Sequence, residues 1–350
     1  NNNLYMENVK NWVGEKYSRQ VMPKNTIIFP KNGGAILTAK KRILSQDSLV
    51  DLNTGGLIPY NDLNHKFIFY LFLSLDIKDF VKGSAVPTIN SKKLKETLVP
   101  LPPLEEQSRI AAKIAQLFAL LRKVESSTQQ YAKLQTLLKS KVLDLAMRGK
   151  LVEQDPHDEP ASVLLEKIKA EKRKMIKEKE IKKSKPLPPI TDEEKPFDIP
   201  DSWEWVRLGN IAKRITDGTH NPPPNSHEGK QVISAINIKK GKIDFSLSNR
   251  FVSEDQFLKE DKRTNIRKGD VLLTIVGSLG NAAVVDTDKL FTAQRSVAVI
   301  SSNILSKFLY YVLISAMFKT QIFANAKGTT QKGIYLSKLI NLKLPLPPLA

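Results

Sequence analysis

The stretch "PLPPLEEQ" (100–107) decides how the chain is organised, because "PLPPLA" returns at 345–350. The likeness extends upstream of the prolines. Residues 82–104 read "KGSAVPTINSKKLKETLVPLPPL" and residues 327–349 read "KGTTQKGIYLSKLINLKLPLPPL", at a constant offset of 245. Lys82, Gly83, Ile89, Lys93 and Leu94 face the identical Lys327, Gly328, Ile334, Lys338 and Leu339, whereas Leu98 faces Lys343. Further back, "KFIFYLFL" (66–73) resembles "KFLYYVLI" (307–314), and "KNTIIFPKNGG" (24–34) resembles "KGDVLLTIVGS" (268–278). The order strand, loop, apolar helix, Gly-containing loop, "PLPPL" therefore occurs twice. Such long units point to duplication of a whole domain, not to a short solenoid repeat. The first copy's counterpart of about 201–245 would precede Asn1, and nothing follows the second "PLPPL", so the sequence is expected to be a piece of a longer protein.

The chain has 350 residues, enough for two cores, and its 41 % apolar content is that of a folded globular protein. The apolar run "FIFYLFLSL" (67–75) is too short to span a bilayer, so no membrane association is expected. The N-terminus has no signal-peptide layout. With no cysteine there is no disulfide, thiolate metal site or Cys nucleophile, which suits a reducing cytoplasm. Of the net charge of +19, residues 1–100 carry +6, 101–152 carry +5, 153–200 carry −1 and 201–350 carry +9. An excess spread over two folded regions points to a polyanion, most often nucleic acid; the alternative is a basic protein without such a partner.

After the first "PLPPL", acidic "EEQ" opens a helix, with the prolines holding the chain extended before it. Ile110, Leu117, Val124, Tyr131, Leu138 and Leu145 fall seven apart, and Ile114, Leu121 and Val142 occupy the interleaved row, with polar Thr128 and Gln135 between them. This is a coiled-coil seam about five heptads long, roughly 54 Å. Either it packs on its own domain, or it pairs with a second helix that follows the second "PLPPL". Gly149 caps the helix. Beyond it, 151–200 read as a solvated linker with a short basic amphipathic helix starting near Ser162, and "PLPPI" (186–190) as part of that tether.

Signs of catalysis are weak. "NPPP" (221–224) approaches the Asn-Pro-Pro-aromatic motif of amino-methyltransferases, but Pro224 replaces the ring that stacks on a flipped base. "GSLG" (277–280) lacks the Gly-Lys-Ser/Thr of a phosphate loop. His65, His157, His220 and His227 show no metal-ligand spacing. The sequence argues for recognition without catalysis, with no metal or cofactor.

The duplicated lobes ending in "PLPPL", the "EEQ" helix, and "WEWVRLGNI" (203–211), "DGTHNPP" (217–223), "AINIKKGKIDF" (235–245) and "GKLVEQDPHDEPAS" (149–162) resemble the specificity subunit of type I restriction–modification systems. The resemblance implies an α/β (α+β) fold: two similar target-recognition lobes separated by a long coiled-coil-type helix. It implies a first lobe at 1–100, a central conserved helical region at 101–150, the linker at 151–200, a second lobe at 201–344 and the start of a second conserved region at 345–350. Each lobe would read one half of a split site in double-stranded DNA. The helices of the two conserved regions would pair antiparallel as a ruler, two modification (methyltransferase) subunits would bind there, and restriction subunits would cleave. The rival is an assembly adaptor that scaffolds partner helices without reading DNA, and the charge of the lobes speaks against it.

Base reading is then expected on loops. The candidates in lobe one are Lys31, Asn32, Lys40, Lys41, Arg42, Ser84 and Thr88. Those in lobe two are Lys213, Arg214, Thr219, His220, Asn281, Gln294, Arg295, Thr329, Thr330 and Gln331. Asn and Gln suit the adenine edge and Arg the guanine edge, while most lysines would hold phosphates.

Overall fold

The structure, a computed structural model, describes residues 4–6, 21–83, 86–181, 185–219, 223–328 and 331–348. The chain divides into two compact units, Asn1–Tyr131 and Ala132–Ala350.

In the first unit, β1 (Tyr5–Met6), β2 (Ile27–Pro30), β3 (Arg42–Leu44) and β4 (Thr54–Leu57) form a sheet of order β1-β3-β2-β4. β1 is parallel to β3, and β2 is antiparallel to both β3 and β4. The alternation of β2 turns Ile27 and Phe29 inward. The apolar helix α1 (His65–Ser74) covers that face with Phe67, Phe69 and Phe72; Phe29 meets Phe72 edge to face at 5.1 Å. Asn64 caps α1, its side chain accepting from the Phe67 N–H. A short hairpin, β5 (Val81–Lys82) with β6 (Thr88–Ile89), and helix α2 (Ser91–Lys95) complete the lobe.

The heptad segment is one helix, α3 (Leu104–Met147), of 44 residues and about 66 Å. Its first turn is tied to lobe one through the last residue of "EEQ". The Gln107 amide, buried, accepts from the Asn64 N–H at 3.0 Å and donates to the Pro102 carbonyl at 2.8 Å. Ala111 is buried beside it, and Ile110 and Ile114 lean on the lobe-one core.

The second unit begins within α3. Met147 is buried in its core, and Gly149, at φ 66°, ends the helix as expected: the Lys150 N–H bonds the Leu145 carbonyl at 2.9 Å. A Cβ at Gly149 would lie 2.5 Å from Pro200, so the cap is also a packing site. Next come α4 (Ala161–Lys177), β7 (Glu204–Arg207), α5 (Leu208–Ile211), β8 (Ala212–Asp217), β9 (Lys230–Ile233) and the hairpin of β10 (Ile238–Lys239) and β11 (Lys242–Ile243). Then β12 (Phe251–Val252), α6 (Glu254–Thr264), β13 (Val271–Thr274), β14 (Ala282–Val284), β15 (Thr292–Ala293) and β16 (Val297–Ser302) follow. The lobe closes with α7 (Ser306–Ile314), α8 (Ala316–Asn325), α9 (Leu336–Leu339) and β17 (Lys343–Leu346). The main sheet is antiparallel, of order β14-β13-β16-β8; β12-β9-β15 forms a second sheet, and β17 pairs with β7.

The reading of 151–200 as a solvated tether does not hold. α4 buries Ala161, Leu164 and Ile168 in the lobe-two core. Lys172 Nζ donates to the Gly209 carbonyl at 2.8 Å, Trp203 Nε1 donates to Gln154 Oε1 at 2.8 Å, and Phe197 sits between Trp205 and the Arg148 guanidinium. The "PLPPI" echo is docked by Arg207, which is buried and donates to the carbonyls of Pro188, Pro189 and Asn341 and to Glu194. Lys343, then the Thr191 N–H and Arg207, hold the Glu194 carboxyl below the usual carboxylate range. Net charge and the Lys/Glu pattern hid this, because α4 keeps its charges outward and spends few apolar residues on contact. Arg207→Met strands four acceptors, each a charge-assisted bond worth about 1.5–3 kcal/mol. Limited digestion with a glutamate-specific endoproteinase is expected to cut after Glu193 much faster in this variant than in the parent.

Candidate nucleic-acid interface

The duplication survives in three dimensions as one hydrogen-bond frame. In lobe one, Lys31 N–H bonds the Asn53 carbonyl (2.7 Å), Gly33 N–H the Pro87 carbonyl (2.8 Å) and Ile89 N–H the Lys31 carbonyl (2.9 Å). In lobe two, Ile275 N–H bonds the Ser296 carbonyl (2.9 Å), Gly277 N–H the Lys332 carbonyl (3.0 Å) and Ile334 N–H the Ile275 carbonyl (2.9 Å). The bridge Asn32–Thr88 has its match in Val276–Gly333, and β2 lies between β3 and β4 as β13 lies between β14 and β16. In both copies the segment after the central strand is held between two loops, and the loop tips are the sites where sequence is free to differ.

In lobe two these loops enclose a depression of about 300 Å³. Arg295, Lys327 and Gln331 line it, exposed, with buried Asp217 beside them and Tyr335 also in its wall. Three distant parts of the chain, 217–219, 293–295 and the residues 327, 328 and 331, thus converge. The approach is backbone on backbone: the Thr219 N–H bonds the Ala293 carbonyl, the Arg295 N–H bonds the Thr219 carbonyl, and a Cβ at Gly218 would sit 1.9 Å from the Ala293 oxygen. The Gln294 N–H bonds the Ile233 carbonyl at 2.8 Å, which joins this ridge to β9. Asp217 is paired with Arg263 on α6.

Of the expected readers, Arg295 and Gln331 share this depression, Gln294 and Thr219 form its ridge, and Asn281 closes the 275–281 loop with its N–H on Thr274 Oγ1 at 2.9 Å. In lobe one, Lys31 and Lys40 are exposed, and half-buried Asn32 and Thr88 bridge each other; Asn32 Nδ2 donates to the Leu52 carbonyl. Ser84, His220, Thr329 and Thr330 lie outside the described residues.

Four expected readers have their side chains elsewhere. Lys41 is buried and caps α1, its Nζ donating to the carbonyls of Phe72 (2.7 Å) and Leu75 (2.6 Å). Burial pushes its pKa down, against the pull of Asp76. Arg42 lies on β3 against Met6. Lys213 pairs with Glu171 on α4 at 3.3 Å. Arg214 caps α6, donating to the Asn265 carbonyl at 2.8 Å and to the Thr264 carbonyl, with Asp270 at 3.6 Å. Burial raises the Asp270 pKa and lowers that of Arg214; in both, loss of water outweighs their mutual attraction. A cation at the end of a helix is a natural cap, and from sequence it is indistinguishable from a phosphate ligand. Sequence reading missed Lys327 and Tyr335, although both stand in the aligned repeat, and Arg263, which only the folding of α6 onto β8 brings in.

The seam of α3 divides in the same way. Leu117, Leu121, Val124, Tyr131 and Leu138 are 51–69 % exposed and Val142 is 40 % exposed, while Ile110, Ile114 and Leu145 are half-buried at the two ends. Among the described residues the helix packs on lobe one through its N-terminal part, where Phe118 also meets Tyr70 edge to face at 5.8 Å, and on lobe two through its C-terminal end.

Two copies of one α/β lobe, joined through a long helix with an open apolar seam, define a two-lobed recognition scaffold. The chain belongs to the type I restriction modification DNA specificity domain family, whose model matches residues 1–135 and 200–350. The EcoEI specificity subunit of Escherichia coli is 32 % identical over 73 % of this chain and 44 % of its own length. The EcoAI specificity subunit is 36 % identical over 52 % of this chain and 39 % of its own. The chain thus spans less than half the length of these two relatives. The HsdS subunit from Thermoanaerobacter tengcongensis shares the fold, with a TM-score of 0.52 at 20 % identity over 94 % of this chain and 70 % of that one. A chain from a structure of a type I R-M system shares it at 0.59, also 20 % identical, over 94 % and 71 %. Among the described residues, no helix is long and apolar enough to cross a membrane.

Lys41→Met and Arg214→Met each leave helix-terminal carbonyls without a donor. Each is expected to lower unfolding stability by about 1–3 kcal/mol in denaturant titration.

Proposed function

We propose that this chain is a DNA-reading specificity subunit that recognises a bipartite target and brings methyltransferase and restriction subunits to it, in the cytoplasm. The observation that carries this reading is the convergence of three distant loops on Arg295, Lys327 and Gln331 in lobe two, on a backbone frame repeated in lobe one. The guanidinium of Arg295 suits the O6/N7 edge of guanine and the amide of Gln331 the N6/N7 edge of adenine, while Lys327, Lys31 and Lys40 hold phosphates. The family membership, and relatives named as type I specificity subunits, support the same reading. The lobes correspond to 1–100 and 201–344, with 101–150 as the helical region, 151–200 a docked connector and 345–350 the start of a second conserved region.

The seam of α3 takes a partner helix, and two modification subunits bind around that pair. Exposed apolar residues from Leu117 to Val142 need such cover, and a stiff pair fixes the separation of the half-sites where a flexible tether would not. A pure adaptor would use the same seam but would have no use for the converging polar loops.

Sequencing of adenine methylation in cells carrying the intact system tests the reading. Arg295→Ala with Gln331→Ala is expected to relax one half-site, at about 1–3 kcal/mol per lost base contact, and to leave the other intact; an unchanged pattern removes both residues from the interface. Deleting one heptad within 110–145, matched in the partner helix, shortens the pair by about 10 Å. The preferred spacer is expected to shorten with both half-sites kept. Undiminished methylation at the original spacing would make α3 a connector rather than a ruler.

A further inference from the structure

The shared frame pairs residues of the two lobes one to one, and at the two loop tips the chemistry changes sign. Asn53 and Ser296 accept equivalent hydrogen bonds, from Lys31 and Ile275, so the preceding Leu52 stands where lobe two has Arg295. Pro87 and Lys332 likewise accept from Gly33 and Gly277, so Val86 stands where lobe two has Gln331. Leu52 is 89 % exposed and Val86 is 66 % exposed, as is Leu37 on the turn that follows Gly33. Aliphatic side chains on loop tips gain nothing in water, and scattered ones need no explanation. These two are not scattered: they flank one three-residue segment, 31–33, at the positions that carry the polar readers of the other lobe.

We infer that lobe one reads its half-site by apolar contact of Leu52 and Val86 with thymine 5-methyl groups in the major groove, whereas lobe two reads by hydrogen bonds. The inference rests on the proposed reading of the lobes as DNA-binding and names what the first one recognises. The major groove offers one methyl group per A·T pair, that of thymine, and aliphatic side chains are its natural contacts. The surroundings favour DNA over an apolar protein surface. Lys31, Lys40 and Lys82 are exposed on the same loops and can hold the flanking phosphates. The neighbouring acid, Asp51, accepts from Thr54 Oγ1. The Asn32 side chain donates to the Leu52 carbonyl, which fixes the loop that presents this leucine. Identical backbone frames with opposite tip chemistry also explain how a duplicated domain comes to read two different half-sites.

The test uses the intact specificity subunit in its assembly with modification subunits, and two pools of random duplex copied with either dTTP or dUTP. Uracil keeps the thymine pairing edge and removes only the methyl. Bound duplexes are sequenced, and the half-site of lobe two is identified as the one relaxed by Arg295→Ala with Gln331→Ala. The expected result is that the lobe-one half-site is enriched from the thymine pool and weakened in the uracil pool by about fourfold per lost methyl contact, while the lobe-two half-site is recovered from both. Leu52→Ser with Val86→Ser, both at exposed positions, should weaken the lobe-one half-site roughly tenfold in the thymine pool. The same variant should be indifferent to uracil. Equal enrichment of the lobe-one half-site from both pools, or its survival in the double variant, overturns the inference and leaves DNA reading intact. Absence of any enriched sequence from either pool overturns the reading of the lobes itself, and the inference with it.

Discussion

The exposed apolar seam of α3 is the constraint around which the chain is organised. From Leu117 to Val142 the helix carries leucine, valine and tyrosine that are 40–69 % exposed. Isolated helices gain most of their stability from packing of an apolar face, so a 44-residue helix of this kind is held mainly from its ends. At the start, the buried Gln107 amide joins the helix to the first turn of α1 and to the proline segment. At the finish, Met147 and the Gly149 cap set it into the lobe-two core, where Pro200, Phe197 and α4 close over it. The "PLPPLEEQ" stretch is thus a joint: the prolines limit its freedom, and the glutamine fastens it.

The two lobes show how a duplicated fold diverges without losing its geometry. Their shared frame is made of backbone hydrogen bonds, which place no demand on the side chains they carry. The frame therefore persists between 31–33 and 275–277 although almost no side chain there is common to both. Loop tips are released from packing, and that release lets Arg295 and Gln331 of one lobe correspond to Leu52 and Val86 of the other. Side-chain chemistry at the tips changes while the strands beneath, Ile27–Pro30 and Val271–Thr274, keep the same neighbours.

Positive charge in this protein has two uses that composition merges. Lys41, Arg207 and Arg214 are turned inward and spend their donors on backbone carbonyls, ending helices or pinning the connector. Lys31, Lys40, Lys327 and Arg295 are turned outward. In the sequence, Lys40 and Lys41 are adjacent and alike; the backbone sends one to solvent and the other beneath α1, where desolvation works against its charge. The net charge of each lobe is therefore a poor count of the cations on its surface.

Local sequence was sufficient for whatever depends on periodicity and repetition. The offset of 245 announced the duplicated lobes, the seven-residue spacing announced α3, and Gly149 announced its end, because heptads, caps and repeats are written along the chain. The family resemblance lay in those same stretches. Tertiary structure alone decided which polar residues meet. The convergence of 217–219, 293–295, Lys327 and Gln331, the capping by Lys41 and Arg214, and the docking of 161–177 all join residues far apart in the chain, through contacts that leave no periodic mark. Burial is a property of the assembled fold, and it determines whether a cation caps a helix or faces solvent.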